Sequence, residues 1–117
     1  MSNRSIVLAE QLRQVVSTAV QFEMRDPALS DITITRVKVS PDLSLADIRF
    51  TTLDAADQAK AIKALNHAKG ALKRIVAKSV KLRRVPDLRF HYDRDVEDEK
   101  RIGQILNKLD IPEDDES

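Results

Sequence analysis

At 117 residues, 42% hydrophobic and 33% charged, the chain is long enough for one compact domain with a buried core and too short to fill two. The absence of cysteine excludes disulfide frameworks, thiolate zinc sites, iron–sulfur clusters and thiol nucleophiles, and fits a reducing, cytoplasmic setting. No apolar run approaches the ~20 residues that span a bilayer, so no membrane partner is expected, and Met1 to Ile6 lacks the order of an export signal.

Apolar residues Leu8, Leu12, Val15, Ala19 and Phe22 recur every three or four positions and predict an amphipathic helix from about Ser5 to Met24. Pro27 ends it, because proline disfavours helical backbone at Asp26 and lacks an N–H. From Ile32 to Val39 the residues are β-branched and alternating. The apolar phase slips between Ile34 and Val37, which predicts a bulge near Thr35 and Arg36. Ser40 to Ser44 carries turn residues, and Ala46, Ile48, Phe50 and Thr52 alternate with polar neighbours, completing a β-hairpin with one solvated face.

Helical periodicity returns after Leu53, with Asp57 as the predicted N-cap and Ala61, Ile62, Leu65 and Ala68 as the stripe. Gly70 interrupts it, and Leu72, Ile75, Val76 and Val80 continue it, as one kinked helix or as two short helices meeting at the glycine. Val85-Pro86 stops the helix, and Leu88, Phe90 and Tyr92 alternate as a third strand. A final short helix carries Ile102, Ile105, Leu106 and Leu109. Residues 110–117 read as an acidic, disordered tail. The expected fold class is α+β, in the order helix, strand, strand, helix-kink-helix, strand, with a short C-terminal helix.

The net charge of +1 conceals strong segregation: residues 60–89 hold ten Lys/Arg and one Asp/Glu, whereas residues 93–117 hold four and ten. On a helical wheel Leu72, Ile75, Val76 and Ser79 share one side, while Arg74, Lys78 and Lys81 lie opposite and Lys73 sits at the edge. A merely solvated helix usually intersperses acids at i+3 or i+4, and this one does not. Clustered cations repel one another unless a polyanion covers them, and phosphates release counterions on binding, so nucleic acid is the favoured partner. A solvated face, or one paired with the acidic C-terminal segment, is the plain alternative. The four aromatics, Phe22, Phe50, Phe90 and Tyr92, all fall in phase with apolar neighbours and are expected in the core. That leaves no platform for stacking on bases, so backbone and shape recognition of folded RNA is expected.

The stretches Asp26-Pro27-Ala28-Leu29, Val37 to Ser44, Ala64-Leu65-Asn66, Ala68-Lys69-Gly70 and Val85 to Phe90 resemble, in order and spacing, those of the ribosome-binding factor A family. The order of elements is similar to the type II KH arrangement. The resemblance covers about residues 5 to 109, so that 1–109 would be the KH-like domain. It implies a three-stranded sheet whose third strand lies parallel to the first and beside it. It also implies a non-enzymatic, monomeric factor that binds the immature 30S subunit and its 16S RNA, favours late maturation including 5′-end processing by nucleases, and needs no cofactor. In this family an Ala-x-Gly between helices replaces the Gly-x-x-Gly clamp of ordinary KH domains. Here it is Ala68-Lys69-Gly70. The contacts implied are Lys69, Gly70, Lys73, Arg74, Lys78, Lys81, Arg83 and Arg84. The sequence departs from the family pattern at His91-Tyr92-Asp93-Arg94-Asp95, and its acidic end is its own.

Two rivals differ in class. A small carboxylate nuclease would need a compact acid–base constellation, which no spacing here supplies. A protein-interaction module would dock the basic helix on an acidic partner. His67 reads as a surface residue. His91, Asp93 and Asp95 share one side of a strand and could in principle hold a divalent ion, although polar alternation is the default for a solvated strand face, and no metal site is expected.

Overall fold

The structure is a computed structural model that describes residues 3–96 and Ile102. Helix α1 (Asn3–Thr18) continues into a wider π-helical turn (Ala19–Glu23), then a single 3-10 turn (Pro27–Leu29) leads to β1 (Ile32–Val39) and β2 (Leu45–Thr52). A second 3-10 turn (Ala55–Asp57) precedes α2 (Gln58–Val80), which returns the chain to β3 (Asp87–Tyr92). No described helix is long and apolar enough to cross a membrane.

The sheet has the order β1-β2-β3. β1 and β2 are antiparallel, and the register slips between Ile34 and Arg36, where the apolar phase of the sequence places the bulge. β3 is parallel to β2, with Ile48 opposite Phe90 and Phe50 opposite Tyr92. This corrects the expectation that the third strand lies beside the first. β2 alternates through Phe50, with Ala46, Ile48 and Phe50 fully buried, before Thr51, expected on the solvated face, is buried as well, and a regular strand can carry a ladder on each side. The bulged β1 is left at the edge, where a disrupted ladder is tolerated.

Sequence chemistry explains the connections. Asp26 Oδ1 accepts from the Ala28 N–H at 2.9 Å, capping the turn that Pro27 begins and that buries Leu29. In the hairpin loop Asp42 Oδ1 accepts from Ser40 Oγ (2.7 Å) and Ser44 Oγ (2.8 Å), and Leu43 takes the left-handed conformation at φ 65°. Asp57 stands at the N-cap position of α2, as expected, but its side chain makes no capping bond, whereas Asp54 Oδ1 accepts from the Ala56 N–H at 3.0 Å and caps the 3-10 turn before it. A short 3-10 turn therefore precedes the helix, which starts at Gln58.

One apolar layer joins sheet and helices. Leu12 and Val16 of α1 and Leu65, Leu72 and Val76 of α2 are buried with Ile48, Phe50 and Leu88 of the sheet. The rings of Phe50 and Tyr92 meet edge to face at 5.6 Å. The two apolar stripes of the sequence lie on one uninterrupted helix from Gln58 to Val80, so the two-helix alternative at Gly70 is excluded. Gly70 has no positive φ, is exposed, and a Cβ there would meet only Arg74 Nη1 at 3.8 Å.

Phe22 departs from expectation: it is 79% exposed. In the π-turn the Met24 N–H bonds to the Ala19 carbonyl, five residues back, so each residue turns through a smaller angle and Phe22 leaves the stripe that Ala19 and Val20 continue inward. Leaving such a ring in water forgoes about 1.5–3 kcal/mol of burial.

Asp93 is the second departure. It does not share a solvated face with His91 and Asp95; its side chain is 1% exposed. Asp93 Oδ2 accepts from Thr35 Oγ1 (2.6 Å) and Arg36 Nε (3.0 Å), and Oδ1 accepts from Arg36 Nη2 (3.0 Å) and the Val96 N–H (3.2 Å). Arg36 also reaches Asp95 at 3.0 Å, while His91 Nε2 lies 2.8 Å from Asp47. The three candidate ligands are thus each engaged elsewhere, and no group of three metal-ligating side chains occurs among the described residues. Of the apolar edge expected for the last helix only Ile102 is described, and it is exposed. Ile105, Leu106, Leu109 and the acidic tail lie outside the described residues.

The Asp93 contacts make stability depend on pH. The hydrogen bonds from Arg36, aided by Thr35 and the Val96 N–H, hold the Asp93 carboxyl well below the ordinary carboxylate range against the opposing effect of burial. A depressed carboxylate contributes stability above about pH 4 that is lost as pH falls further. Asp93→Asn is expected to cost about 2 kcal/mol at neutral pH and to flatten the acid limb of the stability curve, read by denaturant melts across pH. Gly70→Ala is expected to stabilise the fold by about 1 kcal/mol in calorimetry, since an exposed helix interior gains from alanine and nothing blocks the methyl.

Candidate nucleic-acid interface

Rotation of α2 about its axis decides which cations face outward. Burial of Ala61, Leu65, Ala68, Leu72 and Val76 against the sheet fixes that rotation. Lys69 and Lys73 consequently flank the buried stripe, partly covered, and Arg74 and Lys78 are exposed on the outer side. Gly70 sits one turn before Arg74, also exposed. The basic helix of the sequence is therefore a basic face in three dimensions.

α2 ends at Lys81, which adopts the left-handed conformation (φ 56°) and returns its N–H to the Ala77 carbonyl at 3.2 Å. Glycine is the usual residue at such a cap because a Cβ is strained there. The turn at Lys81 carries Arg83 and Arg84 onto the loop that leads to β3, and all three side chains are exposed. The structure thus gathers the eight positions implied by the resemblance along one helix and the loop that continues it.

Electrostatic neutralisation is local. Lys73 Nζ lies 3.3 Å from Asp87 Oδ1, and this hydrogen bond, with the nearby charges of Lys69, Lys73 and Arg89, lowers the Asp87 carboxyl below its ordinary value. Among the described residues no carboxylate lies within ion-pairing distance of Lys69, Arg74, Lys78, Lys81, Arg83 or Arg84. The described acids of the C-terminal segment, Asp93 and Asp95, are turned to Arg36 on β1. The outer face of α2 and its loop are left with an excess of positive charge.

The sequence reading missed one part of this surface. Arg25 approaches from the π-turn: Glu23, Met24 and Arg25 face Ala71, Arg74, Ile75 and Lys78 across a groove of about 450 Å³. Its position depends on a fold-back of the chain end of α1 against α2, which no local pattern encodes. The open face of the sheet carries Lys38, Arg49 and Arg89, all exposed, around the Asp47–His91 pair. Strand alternation puts that set on the solvated side, since these residues are out of phase with the buried ones. His67 is exposed on α2, as expected.

Comparison with known proteins gives this geometry a context. The ribosome-binding factor A family model matches residues 4–106. Ribosome-binding factor A of Chromohalobacter salexigens is 41% identical over 104 residues, covering 86% of this chain and 79% of that one. The Geotalea daltonii protein is 38% identical over 118 residues, covering 100% and 96%. The crystal structure of ribosome-binding factor A from Thermus thermophilus aligns with a TM-score of 0.67 at 27% identity, over 75% of this chain and 93% of its own. A homology model of the Thermus thermophilus factor, fitted into a cryo-electron microscopy map of its complex with the 30S subunit, aligns at 0.62 and 28%, over 74% and 91%. With a family model covering most of its length, relatives near 40% identity and the KH-like α+β arrangement of their structures, this chain belongs to the ribosome-binding factor A family.

Proposed function

We propose that this protein is a non-enzymatic assembly factor that binds the immature 30S ribosomal subunit through the cations of α2 and the loop after it. Its partner is folded 16S RNA, it acts as a cytoplasmic monomer, and it favours late maturation, with nucleases performing the 5′-end cleavage. The binding domain is residues 1–109, and the acidic stretch 110–117 stands apart from it.

The carrying observation is the line of six cations, Lys69, Arg74, Lys78, Lys81, Arg83 and Arg84, without carboxylate partners among the described residues. Like charges held together by a fold destabilise it slightly and are relieved by a polyanion. RNA phosphates do so with an affinity that is large, tolerant of sequence and steeply dependent on salt. The 30S complex of the Thermus thermophilus factor supports the same partner for this chain. Gly70 exposes bare helix backbone beside Lys69 and Arg74, which suits close approach of a sugar–phosphate chain. Lys81 supports the reading independently. Keeping a lysine in a left-handed cap forgoes about 1 kcal/mol that glycine would recover, so its retention fits a requirement for the ammonium group.

Charge reversal tests the proposal. Lys78→Glu, Arg83→Glu and Arg84→Glu together are expected to abolish cosedimentation with immature 30S particles while melting stays within about 0.5 kcal/mol of wild type, because all three side chains are exposed. Retained binding, or loss of the fold, would overturn it. For wild type the logarithm of affinity should fall linearly with that of salt concentration, and each single Lys→Ala change should reduce the slope by about one. Lys81→Gly is expected to raise stability by about 1 kcal/mol and yet weaken particle binding, the opposite signs separating a binding role from a structural one.

A further inference from the structure

Resting on the RNA-binding reading above, we propose that the groove between the π-turn and α2 holds one unpaired nucleotide of RNA. Its base stacks on Phe22, and its phosphates lie on Arg25, Arg74 and Lys78.

The groove has a mixed chemistry that matches a nucleotide. Met24, Ala71 and Ile75 make its lining apolar, Arg25, Arg74 and Lys78 supply cations, and Glu23 is its one acid. A nucleotide is likewise an apolar planar base joined to an anionic phosphate. A blunt duplex presents only phosphates to such a surface, with its bases already stacked and paired, so it can satisfy the cations and leave the apolar lining wet. An unpaired nucleotide satisfies both.

Phe22 supplies the platform. It belongs to the π-turn and directly precedes Glu23, Met24 and Arg25, which form one wall of the groove, and it stands 79% exposed. An extra residue inserted in a helical turn is a conformation concentrated at functional sites, and here its consequence is to take a phenyl ring out of the core and leave it in solvent one residue before the groove wall begins at Glu23. Every base has a π-face, so stacking on such a ring tolerates sequence. The groove is continuous with the proposed RNA-binding face, because Arg74 and Lys78 belong to both. Backbone recognition along α2 is thereby joined to capture of a nucleotide that has left its helix. That selects immature RNA, in which segments are still unpaired, over the same RNA once folded.

The chain contains no tryptophan, so Phe22→Trp introduces a single fluorescent reporter at the stacking position. At low salt its emission should be quenched by a short oligouridine and not by a blunt RNA duplex carrying the same number of phosphates, with binding of both probes followed by anisotropy. Phe22→Ala should bind immature 30S particles about tenfold more weakly than wild type, the loss of one stacked base at about 1.4 kcal/mol, with an unchanged melting temperature. Phe22→Trp should restore that affinity. Equal quenching by the duplex, or no quenching while the oligouridine is bound, overturns the proposal. So does weaker particle binding by Phe22→Ala without quenching, which would mark Phe22 as a protein contact. If wild type binds the particles, charge reversal on α2 abolishes this, and Phe22→Ala binds like wild type, the groove proposal fails alone. If wild type does not bind the particles, the reading beneath it fails.

Discussion

Leu65, Leu72 and Val76 are sealed between α2 and the sheet, and that burial is the constraint on which the rest of the surface depends. Three large side chains on one stripe allow α2 a single rotation, since turning the helix would expose them at about 1.5–3 kcal/mol each. Once the rotation is set, Arg74 and Lys78 have nowhere to go but outward, and the partial cover on Lys69 and Lys73 follows from their place at the edge of the stripe. Charge on this protein is thus positioned by hydrophobic packing, and the carboxylate that approaches it, Asp87, pairs with Lys73 at the edge of the face.

The sheet under α2 is held by a polar clasp of a different kind. Asp93 leaves β3 and is met by Thr35 and Arg36 at the bulge of β1, so the two outer strands are linked across β2. A buried carboxylate is tolerable only when its oxygens are supplied with donors, and here one guanidinium, one hydroxyl and one amide supply them. The clasp also turns the chain after β3 toward β1. The first acids of the C-terminal segment are thereby committed to Arg36, away from the cations of α2. An irregularity in one strand therefore holds these two acids away from the basic face.

Three positions go against local preference. Gly70 lies inside a helix that alanine would favour, Lys81 occupies a backbone conformation that glycine would favour, and Phe22 sits in water where burial would favour it. Folding alone rewards none of the three.

Much of this was legible in the residues. Hydrophobic periodicity gave α1, α2 and the three strands, the phase slip between Ile34 and Val37 located the bulge, and Asp26-Pro27 and Ser40 to Ser44 marked their turns, because these signals act over a few residues. The basic face was legible too, from the absence of acids at i+3 and i+4 through residues 60–81. What the chain in isolation could not decide was pairing and exposure at distance. The partner of β3, the burial of Asp93, the approach of Arg25 to α2 and the release of Phe22 from the core each depend on how separate elements meet. A one-residue change of helical pitch moves a ring from core to solvent, and contacts between residues 57 or 58 positions apart leave no periodicity behind. Sequence by itself determined the elements and the sign of the surface; tertiary packing alone decided which groups were left to face outward, because burial is a property of contacts between elements and not of any one of them.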